Sequence, residues 1–148
     1  MQDEVEVRRI ADEVFDVFGE YGSWLPGYIS HPGVWSFVYE VNGELAGFAM
    51  LGVLEPESPG EHRIGDLLAI AVRARYQGQG VGTLLLTRVT EEAQELKETM
   101  DLQEIRLTVA EPNRGAQRLF HRFGFAHIGG DHGHYDKGQR ALRLGLVL

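Results

Sequence analysis

The sequence predicts a mixed α/β fold in which one central sheet carries helices on both faces. Two observations predict this fold. The dipeptide Asn42-Gly43 is a strong hairpin signal, and it separates two segments rich in β-branched and aromatic residues. Further along the chain, apolar segments typical of strands alternate with segments of helical spacing. The chain has 148 residues, and we expect a single domain over 1–148.

The predicted elements before residue 60 are a helix and a hairpin. Apolar residues at helical spacing predict an amphipathic helix over about 3–20, which Gly19 and Gly22 end. Residues 21–33 are irregular or form a short second helix. The two hairpin strands span 34–41 and 44–54 and should pair in antiparallel fashion.

Strands and helices alternate in the second half of the chain. Residues 64–72 are nearly continuously apolar, as expected for a central strand that is buried on both faces. The remaining predicted elements are a helix at about 81–98, a strand at 104–110, a helix at 113–123, and strands at 125–130 and 141–148.

Composition narrows the class of protein. Hydrophobic residues make up 43% and charged residues 24%, which is ordinary for a globular protein. No apolar run approaches the roughly 20 residues of a membrane-spanning helix, and the charged N-terminus lacks the apolar centre of a signal peptide. Cysteine is absent, which excludes disulfides, a thiol nucleophile and zinc-thiolate sites. We therefore expect a cytoplasmic protein with no membrane contact.

The net charge argues against nucleic acid as a partner. The chain has 14 Lys and Arg against 22 Asp and Glu, a formal charge of −8. Binding to nucleic acid needs a basic surface, whereas a negative surface attracts cationic substrates or simply keeps a small protein in solution.

A glycine-rich segment, Gln77–Gly82 (QGQGVG), joins the apolar strand to the following helix. Three glycines in five positions allow successive backbone N–H groups to converge, and the helix N-terminus adds partial positive charge. The segment is therefore a candidate phosphate cradle, or else a tight turn with close helix packing. A P-loop is excluded because Gly82 is followed by Thr83-Leu84. A dinucleotide site is disfavoured because Thr83 stands where that fingerprint needs glycine, although binding of NAD stays an alternative.

Two motifs at the expected separation carry a family resemblance. Gln77-x-x-Gly80-x-Gly82 after a strand ending in IAV resembles the acyl-coenzyme A motif of the GNAT (general-control-related N-acetyltransferase) superfamily. The second motif of that superfamily is similar to Asn113-x-x-Ala116-x-x-Leu119-Phe120-x-x-x-Gly124-Phe125. The resemblance covers about residues 34–148.

The resemblance implies the GNAT acyl-CoA N-acyltransferase fold. In that fold the central mixed sheet contains two parallel strands that splay apart, here 66–72 and 104–110. We expect the first strand of the family to be absent, because helical spacing begins almost at Met1, and a misplaced start codon is the alternative.

Acetyl-CoA is the implied co-substrate, and no metal is implied. By position, the backbone of Val72 would pair with the pantetheine amides, and Asn113 would contact the pantetheine arm. The pyrophosphate would accept hydrogen bonds from the backbone N–H groups of residues 79–83. The implied cofactor-binding positions are Ile70, Ala71, Val72, Gln77, Gly78, Gln79, Gly80, Val81, Gly82, Thr83, Asn113 and Phe120. Three arginines either attract the ribose phosphate or are solvated surface, namely Arg73, Arg75 and Arg114.

Two catalytic roles follow from the resemblance. Asp66 stands eleven residues before Gln77, where family members such as histone acetyltransferases carry a catalytic glutamate. It is the preferred general base, which an acceptor ammonium needs before its nitrogen can attack. The alternative is a strand-edge aspartate without a catalytic role, with Glu61 and His62 as substitute bases. The backbone N–H of Ile70 would donate to the developing oxyanion.

The sequence departs from the family pattern at two positions. Phe120 stands where many relatives have a tyrosine that protonates the leaving thiolate, and Tyr135 is a candidate substitute. Thr108 stands where ribosomal-protein N-terminal acetyltransferases place a glutamate base, which weakens a protein N-terminus as the acceptor.

Histidines and aromatic residues supply further candidates. The segment IGGDHGHYD favours a loop that lines the acceptor pocket over a metal site, because its spacing matches no ligand pattern. Its histidines and aspartates are Asp131, His132, His134 and Asp136, and His127 directly precedes the segment. Trp24, Tyr28 and Trp35 either line the acceptor pocket or pack in the core.

The sequence therefore predicts an acetyl-CoA-dependent N-acetyltransferase that acts on a primary amine. A small-molecule or amino-acid-like acceptor is preferred, with a protein or peptide lysine or N-terminus as the alternative. A GNAT-fold module that binds acyl-CoA without turnover is a further alternative, favoured by Phe120 in the acid position. A homodimer is compatible with the family, although no sequence feature fixes its interface.

Overall fold

The computed structural model describes residues 5, 7–10, 31–56, 58–129 and 138–148. Residues 5 and 7–10 are helical, and the rest of the predicted N-terminal helix lies outside the described residues, as does the segment 21–30. The strands are β1 Val34–Val41, β2 Glu44–Leu54, β3 Arg63–Val72, β4 Leu102–Ala110, β5 Ala126–His127 and β6 Ala141–Val147. The helices are α1 Val81–Met100 and α2 Arg114–Arg122, and a 3₁₀ turn spans Ala74–Tyr76.

These strands form one six-stranded sheet in the order β1-β2-β3-β4-β6-β5. β3 and β4 are parallel, with α1 as their crossover, while each other neighbouring pair is antiparallel. The predicted mixed α/β fold is confirmed. Among the described residues, β1 is the first strand along the chain.

Helices cover both faces of the sheet, as predicted. α1 and α2 pack on one face through residues such as Leu86, Val89 and Phe120. On the opposite face, Val7 and Ile10 of the N-terminal helical residues are fully buried against β2 and β3. The central strands are therefore buried on two sides, which explains their almost unbroken apolar sequence.

A β-bulge in β3 decides which face each residue of this strand occupies. Met50 pairs with Ala69 and Leu51 with Leu67, so Leu68 is an extra residue in the ladder. Leu68 and Ala69 consequently both pack toward the N-terminal helical residues. Asp66 lies two residues before Leu68, and its side chain is therefore on the face opposite α1.

Most element boundaries agree with the sequence prediction within two residues. The prediction of a strand over 125–130 was wrong in length, because β5 contains just Ala126 and His127. Phe125 is turned into the core, and its N–H donates to the Phe120 carbonyl at 3.1 Å to close α2. Gly129 then has φ +54°, which ends the extended backbone.

Among the described residues, no helix is both long and apolar enough to cross a membrane.

Candidate active site

The parallel strands β3 and β4 separate partway along their length. Their paired residues run from Arg63, opposite Leu102, to Asp66, opposite Arg106. Both strands continue beyond this last pair, β3 to Val72 and β4 to Ala110. The splay that the resemblance implied is thus present, and its vertex lies at Asp66.

The backbone of β3 directs Ile70 and Val72 into this gap. The N–H of Arg73 donates to the Ala46 carbonyl of β2 at 2.8 Å. Because hydrogen-bonding direction alternates along a strand, Ala71 also faces β2, while Ile70 and Val72 face the side of β4. The Val72 carbonyl accepts from Gln77 Nε2 at 2.9 Å. The N–H of Ile70 is therefore directed to the gap, as its expected oxyanion role requires.

The glycine-rich segment, which is the candidate phosphate cradle, lies at the start of α1. Gly78 and Gly80 have φ values of +75° and +84°, which side-chain-bearing residues rarely adopt. Gly80 is the N-cap of α1, with no side-chain cap and no acidic residue in the first turn. The N–H of Leu84 bonds to the Gly80 carbonyl at 3.0 Å, so the preceding amides have no partner within the helix.

These amides and the partial positive charge of the helix N-terminus suit a diphosphate. Gly82 lets α1 approach α2, since a Cβ there would lie 3.3 Å from Leu119 Cδ2. Gln79 Nε2 donates to the Arg75 carbonyl at 2.9 Å, so this side chain holds the loop rather than facing a ligand. Ala71 and Val81 are buried, whereas Gln77 and Thr83 are exposed around the cradle. The residues present fit the pyrophosphate of coenzyme A.

Asn113 and Phe120 have defined structural roles in α2. Asn113 is the N-cap, and its Oδ1 accepts from the Ala116 N–H at 3.2 Å. Because Oδ1 is engaged in this cap, Asn113 would contact a pantetheine arm through its side-chain nitrogen. Phe120 is buried against Phe125, with ring centroids 5.7 Å apart in an edge-to-face arrangement. Its contact with a thioester stays a prediction.

A charged cluster around Glu44 precedes the glycine cradle. Glu44 accepts from Arg73 Nη1 at 3.0 Å and from the Tyr76 hydroxyl at 3.0 Å, and it also pairs with Arg75. The guanidinium of Arg75 lies over the Tyr76 ring. Two of the three arginines expected near the ribose phosphate thus anchor the turn before the cradle, and Arg114 is exposed. Glu44 was not identified from the sequence, because it contacts residues about thirty positions away.

Asp66 lines a cavity of about 170 Å³ at the vertex of the split. The cavity is bounded by Ile64, Gly65, Asp66, Arg106, Leu107, Thr108 and Arg143. Burial raises the pKa of the Asp66 carboxyl above its ordinary value of 3.8, and the attraction of Arg143 offsets this in part. A carboxyl with a raised pKa is a stronger base than an exposed aspartate.

Arg106 and Arg143 are the site residues that sequence reasoning missed. Arg106 bonds to Glu104 through Nε at 3.1 Å and Nη2 at 3.3 Å. Arg143 lies on β6 directly opposite Thr108 of β4. The sequence signal was a charged residue within the apolar strand ALRLGLVL, but its neighbours depend on the pairing of β6 with β4.

The other predicted candidates lie elsewhere. Glu61 and His62 are exposed outside the cavity, and His62 Nδ1 lies 3.7 Å from Asp101 Oδ2. Trp35 packs against the core beneath α1, and His127 is exposed on β5. Candidates outside the described residues are Trp24, Tyr28, Asp131, His132, His134, Tyr135 and Asp136. The described ranges contain no cluster of three or more residues able to hold a metal ion.

Comparison with known proteins assigns the class. The profile of the Acetyltransferase (GNAT) family matches residues 5–125, and the chain belongs to this family. A spermine/spermidine N(1)-acetyltransferase of Bacillus subtilis (strain 168) is 38% identical over 85 residues, which is 56% of this chain and 53% of that protein. A probable spermine N(1)-acetyltransferase of Bacillus subtilis subsp. natto is 36% identical over the same shares. The matched stretch is about half the length of these curated relatives.

Solved structures agree with the fold. Arabidopsis thaliana NAA60, in complex with a bisubstrate analogue, has a TM-score of 0.81 at 18% identity and covers 99% of this chain and 92% of its own. The ribosomal-protein-S18-alanine N-acetyltransferase of Escherichia coli has a TM-score of 0.77 at 22% identity, with coverage of 99% and 88%. At these identities the likeness concerns the fold.

Proposed function

We propose that this protein transfers an acetyl group from acetyl-CoA to the primary amine of a small molecule. The observation that carries the proposal is the position of Asp66 at the vertex of the split between β3 and β4. On one side of this vertex lies the glycine cradle at the start of α1, and on the other lies the cavity whose lining includes Asp66, Arg106 and Arg143. One ligand that carries a diphosphate and a second that carries an amine can therefore meet beside one carboxylate.

The chain's own groups can perform direct transfer. Acetyl-CoA supplies the acetyl group as a thioester. Asp66 accepts a proton from the acceptor ammonium, directly or through a water molecule, so that the amine nitrogen can attack the carbonyl carbon. The Ile70 N–H donates to the carbonyl oxygen as negative charge develops there. The new C–N bond replaces the C–S bond as the nitrogen loses a second proton to solvent, and no covalent intermediate with the protein is needed.

The leaving thiolate receives no proton from Phe120, because a phenyl ring has none to donate. Coenzyme A thiol is acidic enough to leave as the thiolate and take a proton from water. Phe120 therefore does not prevent turnover. A module that binds acyl-CoA without turnover is the alternative, and it also predicts binding of acetyl-CoA.

Support for a small amine comes from the names of the curated relatives, which are spermine or spermidine acetyltransferases. Thr108, where N-terminal acetyltransferases of ribosomal proteins place a glutamate, lines the cavity and provides no base. These two observations favour a small molecule over a protein lysine or N-terminus.

Release of free thiol from acetyl-CoA tests the proposal. The chain has no cysteine, so a chromogenic thiol reagent gives no background from the protein. The panel consists of amines, polyamines, amino acids and short peptides, each with and without enzyme. Release that depends on an acceptor supports the transferase. Tight binding of acetyl-CoA with no release across the panel supports the non-catalytic module instead.

A further inference from the structure

We infer that the acceptor carries a carboxylate close to its reactive amine, as an α-amino acid does, and that Arg143 binds this carboxylate. The inference rests on the proposed function and names its substrate class. It is carried by the charges that line the cavity at the vertex of the β3–β4 split.

The charged residues that line the cavity are one aspartate and two arginines, namely Asp66, Arg106 and Arg143. Arg106 is already neutralised, because Glu104 accepts both of its hydrogen bonds. Gly145 of β6 makes room for this pair, since a Cβ there would lie 2.8 Å from Glu104 Oε1. One carboxylate and one guanidinium are therefore left facing the cavity.

Arg143 differs from Arg106 in its partners. Among the residues that the structure describes, its guanidinium has no hydrogen bond and no ion pair, and its interaction with Asp66 is a longer-range attraction. Its side chain is half-buried. A half-buried guanidinium without a bonded partner is unfavourable, and its planar donor pair matches a carboxylate. The geometry thus provides a binding group for an anion inside the cavity.

The distances favour a short acceptor. β3 and β6 lie on either side of β4, and Arg143 is in register with Thr108, two residues beyond the β4 partner of Asp66. The backbones at Asp66 and Arg143 are therefore about 12 Å apart, and both residues line the same cavity. A cavity of about 170 Å³ holds a handful of water-sized groups. An ammonium at Asp66 and a carboxylate at Arg143 fit this space when one or two carbons separate them. A long polyamine would instead bring a second positive charge toward Arg143.

The test compares matched acceptors that differ in the carboxylate. Each α-amino acid in the panel is assayed beside its decarboxylated amine and its α-amide, and kcat/KM is measured for each. We expect the wild-type protein to prefer the carboxylate-bearing member by about 10–100-fold, the range for hydrogen bonds to a charged group. Arg143→Gln should bring this ratio close to one, mainly through KM of the amino acid, and Arg143→Lys should restore part of it.

The ratio is the informative quantity, because Arg143 also lowers the pKa of Asp66 and its loss affects transfer to every acceptor. Arg140→Gln is the matched control, since Arg140 pairs with Glu111 on the surface and does not line the cavity. It should keep the wild-type ratio.

The outcomes separate this inference from the proposed function. Transfer to amines or polyamines as good as transfer to the matched amino acids overturns the inference and leaves the transferase intact. An unchanged ratio in Arg143→Gln also overturns it. If Arg143→Gln does not fold, the same kcat/KM ratios are compared between wild type and Arg143→Lys. An unchanged ratio in Arg143→Lys then overturns the inference. Absence of transfer to every acceptor overturns the proposed function, and the inference with it.

Discussion

Asp66 of β3 and Arg106 of β4 form the last register pair before the two parallel strands separate. This position places a half-buried carboxylate where the backbone of β3 begins to expose Ile70 and Val72 to the gap. The proposed base, the proposed oxyanion donor and the cavity are therefore consequences of one feature of the sheet. Substitutions around this vertex test the mechanism, and substitutions in the cradle test the binding of coenzyme A.

Asp66→Asn tests the proposed base. The variant keeps the size of the side chain and removes its basicity, so kcat/KM for the acceptor should fall by about 10²–10⁴-fold. Binding of acetyl-CoA should be retained, because the cradle at Gly80 is on the opposite side of the split. Asp101→Asn is the matched control: Asp101 is exposed at the end of α1, and its left-handed backbone accepts asparagine. Equal rates in wild type and Asp66→Asn would exclude Asp66 as the base.

The same substitution has a predicted effect on stability. Burial raises the pKa of Asp66 in the folded state, so the folded protein holds this proton more tightly than the unfolded chain. The contribution of the proton is complete below the ordinary value of 3.8 and is lost as pH rises through the folded-state pKa. Asp66→Asn should therefore gain free energy of unfolding relative to wild type on going from pH 3.5 to pH 7. Urea titrations at the two pH values measure the free energy of unfolding of Asp66→Asn minus that of wild type. A difference that falls as pH rises would contradict the assigned burial.

Gly80→Ala tests the anion cradle. A Cβ at this residue meets no atom within 4 Å, so the cost is backbone strain at φ +84° of about 1–2 kcal/mol. Because Gly80 begins α1, a distorted cradle should also raise KM for acetyl-CoA several-fold. Gly43→Ala in the β1–β2 turn is the control, with φ +80° and equally open space. It should lose similar stability and keep KM, and equal KM effects in the two variants would argue against the cradle.

Glu44→Gln tests the cluster that anchors the turn before the cradle. The carboxylate bonds Arg73 and Tyr76 and pairs with Arg75, and its removal should destabilise the protein by about 1–3 kcal/mol. Chemical denaturation measures the loss. Glu111→Gln is the control, because Glu111 makes a single, more exposed pair with Arg140 that is worth at most about 1 kcal/mol. Equal losses in both variants would show that the Glu44 cluster adds no more stability than a single exposed ion pair.

Local signals account for what the sequence predicted well. The ends of β1 and β2 coincide with the prediction, because Asn42-Gly43 fixes a hairpin within a few residues. The α1 start at Val81 agrees with the prediction, because the glycine-rich turn ends at Gly80, which is the N-cap of the helix. The Asn113 cap of α2 is also local, since its partner is three residues away.

Relationships between distant residues could not be predicted in this way. Arg143 reaches the cavity because β6 pairs with β4 in one register, and a shift of one residue would place it on the other face. The bulge at Leu68 likewise decides that Asp66 and Ala69 share a face, which simple alternation would not give. Arg73 and Arg75 pair with Glu44, which is about thirty residues away, so the sequence alone does not show that these two guanidinium groups are already bound.

Direct transfer of the acetyl group to an amine beside Asp66 is tested by a product analysis after incubation with acetyl-CoA and an amine acceptor. Mass spectrometry of the acceptor and titration of free thiol are made on the same sample. We expect one N-acetylated acceptor for each coenzyme A thiol released, and loss of both signals together in Asp66→Asn. Thiol release without acetylated acceptor, or undiminished acetylation by Asp66→Asn, would contradict amine transfer at the vertex of the β3–β4 split.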